Sequence, residues 1–98
     1  MDQTTKGIQE LRELIEGQLA FGKASWERLP EVEAEIDNWD PEDAEVFILE
    51  WSIEEDRLDY LEEYRDRGAM TEEQAARYAD LKELVAKNRA IIERLSDR

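Results

Sequence analysis

This chain reads as a small all-α bundle, on three observations. Hydrophobic and charged residues each make up 41% of its 98 residues, a balance suited to helices with divided faces. Only four Gly and two Pro interrupt it. Apolar residues also recur at alternating spacings of three and four over much of the chain, the period of a helix with one covered face. The expected architecture is an antiparallel helical hairpin over about 41–67 and 72–95, packed against a kinked N-terminal helix. It forms a single domain over 1–98, with 1–3 and 96–98 frayed.

The N-terminal segment carries Ile8, Leu11, Ile15, Leu19, Gly22, Trp26 and Leu29 at helical spacing. Gly17 and Gly22 each weaken that helix by about 1 kcal/mol relative to Ala. Pro30 is expected to end or kink it, because proline lacks the N–H that the helical ladder needs. Val32 and Ile36 then suggest a further short helix to about Asn38. Val32, Ala34 and Ile36 also alternate with acids, so residues 30–39 have an extended alternative, which their glutamates disfavour.

The middle helix opens at Asp40-Pro41-Glu42-Asp43, where Asp40 caps, Pro41 suits the first helical position and the acids favour the positive helix end. It stops at Arg67-Gly68-Ala69-Met70, with Gly68 in the left-handed C′ conformation. At about 100° per residue its apolar residues fall on two stripes. Ala44, Phe47, Ile48, Trp51, Leu58 and Leu61 form one; Val46, Leu49, Ile53, Tyr60 and Tyr64 form the other. Two stripes place this helix at the centre, with a neighbour on each side. If the N-terminal helix leaves the second stripe open, another protomer must cover it.

The last helix opens with the capping box Thr71-Glu72-Glu73-Gln74 and shows one regular stripe of Tyr78, Leu81, Val85, Asn88, Ile92 and Leu95, widened by Leu84 and Ile91. A short connection makes it the antiparallel neighbour of the middle helix. The register that sets Leu61 against Tyr78 and Phe47 against Ile92 also sets Trp51 against Asn88. It brings Glu45 toward Arg94, Glu50 toward Arg89 and Glu62 toward Arg77.

The stretch Glu50-Trp-Ser-Ile-Glu-Glu-Asp-Arg57 interrupts this pattern, because Glu50, Glu54 and Arg57 fall between the two apolar stripes. With Asn88 and Arg89 opposite, and Asn88 accepting the Trp51 indole N–H, they would form one polar layer that selects helix register, as a buried Asn does in coiled coils. The alternatives are a solvated face, or a carboxylate metal or small-ligand site at Glu50 and Glu54. The chain has no His and no Cys, which removes disulfides, thiolate zinc sites, Cys nucleophiles and His acid-base chemistry. A Glu50–Glu54 acid-base pair would still need a cleft that so small a bundle scarcely offers. No catalytic residue, cofactor or enzymatic activity is expected.

The net charge of −14 repels nucleic acid and anionic lipid and attracts basic partners. With no stretch approaching the roughly 20 apolar residues of a membrane span, a cytoplasmic protein is expected. The aromatics Trp26, by the proline, and Trp39, before the cap, join Val46, Leu49, Ile53, Tyr60 and Tyr64 as interface candidates, since large aromatics in weakly covered places anchor partners. Trp39 has a second reading, as an N′ staple reaching toward Ala44. The expected function is non-enzymatic protein interaction, by homo-oligomerisation, with a dimer favoured, or by docking a basic protein. The alternative is an acidic nucleic-acid mimic using Glu55, Asp56, Asp59, Glu62, Glu63 and Asp66.

Overall fold

The computed structural model describes residues 2–97, with side chains over 7–97. It consists of α1 (Asp2–Glu35), a 3-10 turn at Ile36–Asn38, α2 (Pro41–Asp66) and α3 (Glu72–Ser96), with no strand among the described residues. The all-α class and both later helices match the sequence reading to within a residue. Of the ends expected to fray, Met1 and Arg98 lie outside the described residues, α1 already includes Gln3, and Asp97 is the C-cap of α3. No described helix is long and apolar enough to cross a membrane.

The helix ends follow from their capping residues. Glu42 donates its backbone N–H to Asp40 Oδ1 at 2.9 Å, and Pro41 occupies the first turn where no donor is needed. Thr71 and Gln74 exchange side-chain and backbone bonds, both 3.1 Å. At the end of α2, Gly68 takes φ +73°, its N–H bonding Arg65 O and that of Ala69 bonding Tyr64 O. That pair of bonds is a Schellman motif, and it turns the chain back for α3.

Pro30 does not end α1, which runs through it to Glu35. A proline at 30 deprives the Trp26 carbonyl, four residues earlier, of its helical donor. The side-chain amide of Asn88 on α3 takes that donor's place, bonding Trp26 O at 2.8 Å. Asn88 is 5% exposed, so the bond forms away from competing water. The expected role of Asn88 as acceptor for Trp51 is thereby corrected. Neither the Trp26 nor the Trp51 indole N–H has a protein partner among the described residues.

The central helix is α1, not α2. Its buried residues Ile15, Leu19, Gly22, Trp26, Leu29 and Val32, continued by Ile36, face Tyr78, Leu81, Val85, Asn88, Ile92 and Leu95 of α3. The two helices run parallel, as three cross-links show: Gln74 Nε2 to Arg12 O at 3.0 Å, Asn88 to Trp26 O, and Arg94 to Glu33 at 2.8 and 2.9 Å. Gly22 leaves room for the Leu81 side chain, since a Cβ there would lie 3.2 Å from Leu81 Cδ2. By contrast α2 places only Trp51 and Leu61 among the described residues of the buried core. It lies antiparallel to α1, and its second stripe stays outside except at Tyr64, which packs half-buried against the core.

The α2–α3 hairpin is antiparallel as expected, with Arg89 on Glu55 and Tyr78 on Glu62, but its expected ion pairs are corrected for the same reason. Because α3 packs chiefly on α1, its arginines turn there: Arg77 pairs with Glu16 and Arg94 with Glu33 instead of Glu62 and Glu45. Arg89 does reach α2, but it meets Glu55 at 3.0 Å instead of Glu50.

Candidate functional site

The charges expected in one layer lie in three separate seams. Between α1 and α2, the Arg57 guanidinium donates to both Glu54 oxygens at 2.7 and 2.8 Å and through Nε to Gln18 Oε1 at 2.6 Å. The side chains of Arg57 and Glu54 are only 18% and 14% exposed, so water screens this pair weakly. The guanidinium also lies 5.6 Å from the centre of the Phe21 ring. Between α2 and α3, Arg89 bonds Glu55 and sits 5.4 Å from the centre of the Trp26 ring. Asn88 occupies the α1–α3 seam. Glu50 is exposed and belongs to none of them.

These seams locate α2 on the bundle. Both Glu54 oxygens accept from Arg57, which engages the carboxylate that Glu50 would share with a cation. No group of three or more metal-ligating side chains is gathered among the described residues. Glu50 and Glu54 line a groove of about 300 Å³ with Ala24, Ser25, Arg28, Phe47, Trp51 and Ile53, but it is open to solvent. The Tyr78 hydroxyl donates to Glu62, and burial, reinforced by that bond, holds its pKa well above the ordinary phenol value. It is a structural group under the α2–α3 crossover.

The interface candidates divide by burial. Trp26 is 0% exposed and is corrected to core: its ring meets Trp51 edge to face with centroids 5.0 Å apart. The parallel α1–α3 seam closes over the residues just before Pro30, which the expected break would have opened. Trp39 is half-buried, its ring set against Phe47 at 5.6 Å, one turn beyond the expected staple partner Ala44. Phe47 in turn meets Trp51 at 5.7 Å, so an aromatic file runs from Trp39 to Trp26 and binds α2 to α1. Tyr64 is half-buried against the core.

What remains is a surface. Val46, Leu49, Ile53 and Tyr60 are 47, 68, 56 and 57% exposed along one side of α2, a row about 21 Å long at about 1.5 Å per residue. Phe21, 66% exposed, adjoins it across Arg57, and Leu14, 47% exposed, lies two helical turns before Phe21 on the same side of α1. The sequence reading missed this α1 contribution. Its signal was present: Leu14 and Phe21 are seven apart and fall outside the stripe of Ile15, Leu19, Gly22 and Trp26. An apolar row continued onto a second helix is larger than singly scattered surface hydrophobes and is characteristic of contact sites.

No family model, curated protein or solved structure matches this chain.

Proposed function

We propose that this chain is a non-enzymatic protein-interaction module that presents the outer side of α2, extended by Phe21 and Leu14, to another protein. The observation that carries the reading is the exposure of Val46, Leu49, Ile53 and Tyr60 in an ordered, capped helix whose opposite side is packed by Trp51 and Leu61. Those four apolar residues lie outside the buried core, and each leaves a large surface in water. The occupant is either a second copy of the chain or a basic protein.

The nucleic-acid mimic draws less support. Of its six acids, Glu55 is paired with Arg89, Glu62 with Arg65 and Lys82, Glu63 with Arg67 and Asp66 with Arg65. Internal pairing weakens the regular negative row that such a mimic needs.

Site-specific photocrosslinking in the cell that makes the protein tests the contact face. A photoreactive residue at Leu49 or Ile53 should yield discrete protein adducts, whereas the same residue at Glu83 or Lys87, exposed on α3, should not. Adducts of equal yield at all four positions, or at none, would overturn the reading.

A further inference from the structure

We infer that the occupant of the α2 face is a basic amphipathic helix of a partner protein, not a second copy of this chain. The inference rests on the interaction reading above and adds the chemistry of the partner. Its basis is the charge around the apolar row. Along α2 there are eleven acids and two arginines. Both arginines are already engaged, Arg57 inward by Glu54 and Gln18, and Arg65 by Glu62 and Asp66. At about 100° per residue, Glu45, Asp56 and Glu63, the last paired with Arg67, flank the row on one side and Glu50 flanks it on the other. All four are exposed. The site is therefore an apolar strip with acidic margins, interrupted on the Glu50 side by Arg28 of α1, which lines the same groove.

A second copy brings the same margins. A two-fold antiparallel pairing centred on Ile53 would lay Val46 against Tyr60, which suits the apolar row, but it brings Glu45 of each copy toward Glu63 of the other along one edge and joins two chains of net charge −14. Like charges at a contact edge oppose association and slow encounter. A helix with an apolar stripe and lysines or arginines on either side satisfies both parts of the surface. Its anchors at three-and-four spacing lie between Leu49, Ile53 and Phe21, and its cations meet the acidic margins. Opposite fields also steer the encounter, which self-pairing could not achieve.

The test uses the full chain and three synthetic peptides of about 18 residues, long enough to follow the row on α2. One carries leucines at helical spacing with lysines elsewhere; the second keeps the leucines and replaces lysine by glutamate; the third shuffles the first so that no apolar face forms. Binding is read by calorimetry at low and high salt, beside sedimentation of the chain alone. The basic amphipathic peptide should bind in the micromolar range, and the other two at least tenfold more weakly. Leu49→Gln with Ile53→Gln, which leaves the net charge unchanged, should weaken the first peptide at least tenfold.

Val46→Gln with Tyr60→Gln supplies a second variant pair if the first does not fold. Equal binding of the shuffled peptide would reduce the effect to charge, and equal binding of the acidic peptide would remove charge from it. Either result overturns the inference, as does undiminished binding by the Gln variants or no binding by any peptide. A micromolar dimer that excludes the peptide, with self-adducts from photocrosslinking at Leu49, would overturn this inference while keeping the interaction reading.

Discussion

The bond from Asn88 to the Trp26 carbonyl makes a sharp energetic prediction, because its worth depends on a proline in another helix. Asn88→Leu keeps a side chain of similar size but leaves the Trp26 carbonyl buried without a donor. An orphaned buried carbonyl costs about 1–3 kcal/mol, and exchanging a buried amide for an apolar group returns part of this, so a net loss of about 1–2 kcal/mol is expected. For a domain of this length that lowers Tm by about 4–16 °C, at about 4–8 °C per kcal/mol. Pro30 is exposed, so Pro30→Ala removes little packing. It restores an N–H at position 30 and should raise stability by about 1–3 kcal/mol.

The decisive quantity is the coupling. Once Pro30→Ala supplies the helical donor, Asn88→Leu no longer orphans the carbonyl, and its cost should fall by about 1 kcal/mol or more in that background. Urea unfolding of the wild type, both single variants and the double variant measures this directly. Costs that agree within about 0.5 kcal/mol in the two backgrounds would show that the sites act independently, and would refute the account of how α1 continues past its proline.

Further outcomes follow from other contacts. Gly17→Ala should stabilise the chain by about 1 kcal/mol, since a Cβ there meets nothing within 4 Å, whereas Gly22→Ala should return less than this because its Cβ lies 3.2 Å from Leu81; thermal unfolding of the pair checks the difference. Glu54→Gln should cost about 1.5–3 kcal/mol in urea unfolding, because it leaves the half-buried Arg57 without its carboxylate. Tyr78 keeps its proton in the folded state at a pH where the unfolded state loses it, so its contribution is constant below about pH 10 and stability then falls by about 1.4 kcal/mol per pH unit. The same titration of Tyr78→Phe should show a shallower alkaline decline.

How far the sequence was legible depended on whether a signal was local. The caps at Asp40, Thr71 and Gly68 are written in adjacent residues, and all three form. The α3 stripe was equally plain. The choice of central helix was not, because the two stripes of α2 outweighed a subtler match: α1 and α3 each carry a near-heptad row, with Gly22 in one and Asn88 in the other. Gly22 reads locally as a helix breaker and Pro30 as a stop; each is explained only by a residue of α3, Leu81 and Asn88 respectively. The polar residues around Glu54 were expected as one layer between two covered stripes, but helical angle alone could not say which neighbouring helix would claim each one.

The arrangement also separates folding from the proposed contact, and that separation can be tested without any partner. If the α1–α3 seam and the aromatic file hold the bundle, the outer row of α2 contributes almost nothing to its stability. Leu49→Gln and Ile53→Gln replace side chains already 68 and 56% exposed, so each should change unfolding free energy by no more than about 0.5 kcal/mol. Trp51→Ala, on the opposite side of the same helix and 7% exposed, should cost about 3–5 kcal/mol. Urea unfolding of the three variants compares the two sides of one helix under identical conditions. A loss of 2 kcal/mol or more, taken as roughly the scale of a buried aliphatic truncation, from either outer Gln variant would mean that the row is covered within the folded chain. In that case the surface proposed for a partner would be part of the core, and α2 would be the sandwiched helix after all.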